Sequence, residues 1–412
     1  MLIFLLEKLK DKLPKLCIIN KLCIAFFLQY DIIIFEMEVG QIMNILEKLK
    51  LNKKLLRELD YSVIILVTSI VIFGCINIYS ATKEYNFYYP KLQIMWMILG
   101  LITIYLILTL DYTLIKNYAV IIYWAGVIFL ILNRFLGTIT KGANSWIMIG
   151  SRGIQPSEFA KIGMIIMLAK KLDDMEGNIN VPKNLLELIF YAAVPMFLIV
   201  IQPDMGMTMV SFFIVLGIFY CMGLDYKVII GGATSLVLVI IGVWNSSIIK
   251  PYWKGRLTSF INPEQYELGY GLQLIQSKLA LGSGGILGRG FGKGIQFKFV
   301  PENHTDFIFA VLGEEWGLVG ALILLLLYGK LIYQLIKIAK SSKDIFGTVI
   351  CVGFISNLLF SIMQNIGMTM GLMPITGITL PFMSYGGSSL LTSFIALGLV
   401  LNVGMRKKKI NF

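Results

Sequence analysis

Charge and histidine are scarce in this chain. Only 15% of its 412 residues are Asp, Glu, Lys or Arg, and His304 is the sole histidine. So little charge excludes an ordinary soluble domain. The five cysteines, Cys17, Cys23, Cys75, Cys221 and Cys351, form no CxxC pair, which excludes a disulfide or zinc framework; those inside apolar runs read as small hydrophobic fillers. The net charge of +12 comes without interleaved aromatic and basic residues or any nucleic-acid motif, so nucleic acid is not the expected partner. The glycine-rich "GSGGILGRGFGKG" from Gly282 to Gly294 is not a nucleotide-binding loop: Gly294, not Ser or Thr, follows Lys293, and position 287 is Leu287.

What the chain has is apolar length. It is 57% hydrophobic, with a mean hydropathy of +0.79. Its apolar runs reach the roughly 20 residues that a helix needs to cross a bilayer. The expectation is an all-α polytopic membrane protein of about ten transmembrane helices. These fall near Tyr61–Ser80, Leu92–Leu110, Tyr118–Leu132, Phe159–Leu172, Leu185–Ile201, Met207–Met222, Val228–Val243, Phe307–Tyr328, Phe346–Ile366 and Ser388–Val403. Basic clusters precede the first span (Lys53, Lys54, Arg57) and follow the fourth (Lys170, Lys171), eighth (Lys330, Lys337, Lys340) and tenth (Arg406 to Lys409). An even number of spans puts all of them on one side, which the positive-inside rule makes the cytoplasm, with both termini. Two substantial segments are then external: Asn133 to Ser157, and one long loop from about Asn245 to Thr305. The latter is basic (Lys250, Lys254, Arg256, Lys278, Arg289, Lys293, Lys298) but too long for the charge rule to govern. A shorter hairpin, Gly367 to Gly387, is rich in Pro and Gly; irregular backbone at that depth must be buried in protein or line a cavity.

Residues 1–42 read as an N-terminal extension before a single transmembrane domain, 43–412. Lys21 and Asp31 interrupt its apolar run, and no signal-peptide cleavage site is evident. Met37 or Met43 is an alternative start.

Charge concentrates where the long loop enters the eighth span. Glu302, His304, Asp306, Glu314 and Glu315 fall within 14 residues. A carboxylate at Asp306 can cap the helix that follows or face a cavity, the default for carboxylates at membrane depth. Glu314 and Glu315 lie too far into the helix to snorkel easily. In "GANSWIMIGSRGIQPSEFAK", Glu158 and Lys161 share one helical face; they form either a local ion pair or an interior-facing site. Asp204 in "QPDMG" is a turn residue or a third polar site, and Trp146 is either an interfacial tryptophan or part of the same site. The glycine-rich turn, beside Lys278, Arg289, Lys293 and Lys298, could cradle a phosphate through its N–H groups.

Five stretches, in this order, resemble the SEDS family (shape, elongation, division, sporulation): "GANSWIMIGSRGIQPSEFAK", "QPDMG", "GYGLQLIQSKLALGSGGILGRGFGKG", "VPENHTDFIFAVLGEEWGLVG" and "GLMPITGITLPFMSYGGSSLL". The stretches "EEWG", "QNIGM" and "SWI" resemble the elongation branch more than the division branch. The resemblance implies a peptidoglycan glycosyltransferase that polymerises lipid II outside the cytoplasmic membrane, for elongation and shape. It implies that Asp306 is the catalytic residue and that Trp146, Glu158 and Lys161 belong to the site. His304, Gln276, Lys278, Arg289 and Lys293 are further candidates for binding substrate. The chemistry fits. A sugar hydroxyl attacks an anomeric carbon, a base takes the proton, and the departing diphosphate needs positive charge from Lys161, Arg289, Lys293 or a divalent cation, Mg or Mn. No organic cofactor is expected. The expected partners are a class B penicillin-binding transpeptidase and other membrane proteins of the elongation complex. A flippase or transporter of lipid-linked precursor is the alternative from a different class.

Overall fold

The computed structural model describes residues 53–140, 143–150, 152–244, 255, 258–263 and 270–406. The boundary at residue 42, the starts at Met37 or Met43, the side chains of Lys53 and Lys54, and Lys250, Lys254, Arg256 and Lys407 to Lys409 lie outside these residues.

Helices occupy the apolar runs: α1 (Tyr61–Ala81), α2 (Tyr88–Thr109), α3 (Tyr112–Leu136), α4 (Pro156–Asp174), α5 (Pro182–Ile201), α6 (Met205–Cys221) and α7 (Tyr226–Trp244). After α8 (Tyr270–Gly284), inside the long loop, come α9 (Ile308–Lys340), α10 (Ile345–Met370) and α11 (Gly387–Met405). Among the described residues seven helices, α1, α2, α3, α5, α9, α10 and α11, are long and apolar enough to cross a membrane. That is fewer than the ten expected. Helix α4 carries Glu158, Lys161, Lys170 and Lys171, and α6 has only 17 residues.

Local sequence sets the helix ends. Asp60, Asp111, Asp204 and Asp344 cap α1, α3, α6 and α10 by accepting from Ser62, Thr113, Met207 and Gly347 backbone N–H groups. Helices α4 and α5 begin with proline, whose missing N–H costs nothing there. Gly371 ends α10 in the left-handed conformation, φ 77°.

Helices α4, α10 and α11 form the centre, their side chains mostly buried. Helix α4 packs on α3, α5 and α10, α11 packs on α2, and α9 packs on α1, α8 and α10. Backbones of α3 and α4 approach closely at Gly163, where a Cβ would lie 3.3 Å from the Cα of Tyr123. An all-α reading misses one element. The segment between α3 and α4 is a three-stranded antiparallel sheet in the order β1 (Thr138–Thr140), β2 (Ala143–Ile149), β3 (Arg152–Ile154). Trp146 pairs with Thr138, and Ile147 pairs with Ile154. It escapes a hydropathy reading because such short strands are only weakly periodic.

Helix direction alternates along the chain. The starts of α2, α4, α6 and α11 and the residues before α9 therefore meet at one end of the bundle, around a cavity. Arg57, Lys171, Lys337, Lys340 and Arg406, at the start of α1 and the ends of α4, α9 and α11, fall at the other end.

Candidate functional site

The cavity has a volume of about 490 Å³. Asp306, Glu302, Glu158, Asp204, Trp146 and Tyr385 are among the residues that line it. The structure thus gathers Trp146, Glu158 and Asp306, distant in sequence, around one space.

Asp306 does not cap α9. Phe307 holds the cap position without a side-chain bond. The Asp306 carbonyl instead accepts from Asn365 Nδ2 of α10 at 2.7 Å. Asp306 is thus not the N-cap residue of α9.

Glu158 and Lys161 form an ion pair of 2.8 Å on α4. Their residues are 5% and 7% exposed, so neither charge meets lipid. Glu158 Oε2 also accepts from the Thr392 hydroxyl of α11 at 2.9 Å. The pair is local to α4, and of the two residues Glu158 lines the cavity while Lys161 lies behind it. Asp204 likewise combines a turn role with a site role: it caps α6, accepts from Gln155 Nε2 at 3.0 Å and lines the cavity. The Trp146 ring lies over Gly153 of β3, where a side chain would collide with it.

Glu314 and Glu315 correct the expectation that buried carboxylates line a cavity. Glu314 is 0% exposed and accepts three consecutive backbone N–H groups, from Ile295 (2.8 Å), Gln296 (2.9 Å) and Phe297 (2.6 Å). Glu315 accepts from the Gly292 N–H at 2.9 Å and from the Ser80 hydroxyl. One N–H of the glycine-rich turn, that of Gly292, and the three that follow the turn, from Ile295 to Phe297, are thus taken by the chain's own carboxylates. The exchange extends to α9. At Gly317 (φ 62°, ψ −158°) the helix breaks. Leu318 and Val319 donate to the Gly285 and Ile286 carbonyls, while the Glu314 and Glu315 carbonyls accept from Arg289 and Gly290.

Of the other candidates, none lines the cavity. Arg289 lies 3.6 Å from Glu314 and donates to the Ser283 carbonyl. Gln276 accepts from Gln296 Nε2 at 2.7 Å. Lys278 lies against Gly371, and Lys293 is an exposed side chain of the glycine-rich turn. His304 packs between Tyr89 and Tyr385, its ring centroid 4.8 Å and 5.9 Å from theirs, and its carbonyl accepts from the Tyr385 N–H.

The Pro- and Gly-rich hairpin lines the cavity through Thr376 to Thr379 and Tyr385 to Gly387, as irregular backbone at this depth must. Side chains from helices satisfy its carbonyls: Gln93 reaches Ser384, Gln364 reaches Pro374, Asn365 reaches Ile378 and Tyr328 reaches Pro381. Sequence reasoning missed Gln93, Gln364 and Asn365. Their signal was an uncharged amide inside an apolar run, which is costly in a membrane unless bonded. Among the described residues no three His, Cys, Asp or Glu side chains converge as metal ligands.

The sequence matches the family model described as cell cycle protein (FtsW/RodA/SpoVE) over residues 59–409. It is 38% identical to stage V sporulation protein E of Bacillus subtilis, covering 84% of this chain and 96% of that protein. It is 33% identical to peptidoglycan glycosyltransferase MrdB of Escherichia coli K12, covering 86% and 95%. A solved structure described as structural coordination of polymerization and crosslinking by a peptidoglycan synthase complex superposes with a TM-score of 0.75 at 31% identity, covering 84% and 97%. The crystal structure of the rod shape determining protein RodA of Thermus thermophilus gives 0.65 at 29%, covering 85% and 98%. With the match spanning nearly every described helix, the chain belongs to the FtsW/RodA/SpoVE family of multi-pass membrane proteins.

Proposed function

We propose that this chain is a peptidoglycan glycosyltransferase that joins lipid II units into glycan strands at the outer face of the cytoplasmic membrane, with Asp306 as the base. The observation that carries this reading is Asp306 on the wall of a cavity at the span ends, in a member of this family. The 4-hydroxyl of one sugar attacks the anomeric carbon of another. A new glycosidic bond forms, the bond to undecaprenyl diphosphate breaks, and the hydroxyl proton passes to the Asp306 carboxylate. Trp146 offers an aromatic face to substrate in the cavity, and the Glu158–Lys161 pair lends its wall fixed charge. A divalent cation enters this proposal as a companion of the substrate's diphosphate. Gln276, Lys278, Arg289 and Lys293 stay in the proposal only as contacts to substrate outside the cavity, as does His304.

The cavity end is assigned to the outside because Arg57, Lys337, Lys340 and Arg406 gather at the opposite end, the cytoplasmic one by the positive-inside rule. Both termini then lie in the cytoplasm. The relative solved in a complex that coordinates polymerization and crosslinking supports a class B penicillin-binding transpeptidase as partner, alongside other membrane proteins of the elongation complex.

Purified protein given lipid II in detergent tests the activity. Glycan polymer supports the enzyme; no polymer in detergent, with lipid movement across liposomes, favours a transporter. The branch is a separate matter. "EEWG" and "QNIGM" favour elongation, whereas 38% identity to a sporulation protein favours spore-wall synthesis. Rescue of an elongation-defective or a sporulation-defective strain decides between them.

A further inference from the structure

The carbonyl of Asp306 has no place in a helix, because α9 starts at Ile308 and its first turn closes from Ala310 to Phe307. One side chain takes that carbonyl. Asn365 Nδ2 donates to it at 2.7 Å and, with its second hydrogen, to the Ile378 carbonyl at 2.7 Å. The two acceptors belong to different cavity-lining segments that this nitrogen brings side by side: Asp306 precedes α9, and Ile378 lies in the hairpin. Of the two ends of the amide only the NH₂ can serve two carbonyls, which sets the amide orientation. Asn365 is 0% exposed, and its Oδ1 has no hydrogen-bond partner among the described residues. The residue is thus committed to its two donations.

We infer that Asn365 is a positioning residue for glycan polymerisation: by tying the Asp306 and Ile378 carbonyls to one nitrogen, it fixes the Asp306 backbone, and with it the carboxylate, relative to the hairpin that lines the cavity beside it. The inference rests on Asp306 being the base. The physical reason is register. Asp306 sits between a turn and a helix start, where rotation about its own backbone would swing the carboxylate away from the cavity. The Asp306–Phe307 peptide is held on its N–H side by the Glu302 carbonyl at 3.2 Å, and the bond from Asn365 holds its carbonyl side and keeps it in step with the hairpin. Gln364, one residue earlier, supplies a built-in comparison. It is equally buried, and it donates at 2.8 Å to the Pro374 carbonyl.

The test compares Asn365→Leu, Asn365→Ser and Gln364→Leu in the purified full chain, reading kcat, KM for lipid II and melting temperature. For Asn365→Leu we expect kcat to fall about 100-fold, the scale of a misplaced reacting group, with KM within about threefold of wild type. Gln364→Leu should lower the melting temperature comparably while keeping kcat within about threefold. Should Asn365→Leu fail to insert, Asn365→Ser, which is smaller and keeps one donor, is judged by the same split. Wild-type kcat in the Asn365 variants, or equal loss of kcat in the Asn365 and Gln364 variants, overturns the inference and leaves Asn365 as structural. Asp306→Asn is run in parallel: if it polymerises, the base assignment fails. If it is inactive while Asn365→Leu is fully active, only the positioning role fails.

Discussion

The Glu158 carboxylate lies 2.8 Å from the Lys161 ammonium, one turn further along α4, with both side chains buried at the cavity end of the bundle. Neither charge could be placed there alone. The pair lets α4 run through the centre of the protein while presenting a carboxylate to the cavity. Breaking a buried pair by removing one partner costs about 3–5 kcal/mol, because the other charge is left without compensation. Lys161→Met should therefore fall in melting temperature and yield by size-exclusion chromatography. The double variant Glu158→Gln, Lys161→Met should recover the fold and remain weakly active. A single variant as stable as wild type would contradict the buried-pair account.

Asp306→Asn should leave the protein inserted and folded but stop polymerisation. The change is near-isosteric and keeps the backbone carbonyl that Asn365 holds, so lost activity cannot be assigned to packing. Lipid II turnover by the purified variant, beside its melting curve, is the measurement. Polymer at a near-normal rate would remove Asp306 from the mechanism.

Glu314→Gln should loosen the segment that follows the glycine-rich turn, Ile295 to Phe297. Three N–H groups now share one carboxylate; an amide has one acceptor oxygen, and its NH₂ faces the remaining donors. Each buried donor left unsatisfied costs about 1–3 kcal/mol. Hydrogen exchange should accelerate at the Ile295, Gln296 and Phe297 amides, while the amides of α10 keep their protection. Unchanged exchange at these three positions would mean the carboxylate is not what holds the segment.

Polymerised glycan must be crosslinked to bear load. Mild-detergent purification of the chain from its own cell should therefore recover a single-span transpeptidase, identified by mass spectrometry. Exposed apolar side chains on α9, including Leu318, Leu322 and Leu326, offer a contact face. Replacing them with bulkier tryptophan should reduce recovery. Full activity with no transpeptidase recovered, and no effect of deleting each candidate, would rule the coupling out.

The sequence by itself determined the class of molecule, the positions of the apolar helices and the residues worth testing. Hydrophobic runs and Asp or Pro at helix starts are local signals, and they set α1, α4 and α10 within a few residues. Asp306, Glu158 and Trp146 were legible because charged or aromatic groups stand out in a charge-poor chain, and because they lie in long family-like stretches. Which charges face the cavity was not legible. Glu314 and Asp306 look alike in sequence, two carboxylates eight positions apart at the head of one helix. Only the folded chain brings the turn at Ile295 to Phe297 over Glu314, where backbone donors consume the carboxylate, and leaves Asp306 on the cavity wall. That Arg289, Lys293 and Lys278 stand off the cavity wall was not legible for the same reason, since sequence spacing gives no distance across a loop. Asn365 and Gln93 were passed over because an amide reads as neutral. Its importance comes from two carbonyls, or one, that approach from other parts of the chain, and that approach is a property of tertiary structure alone.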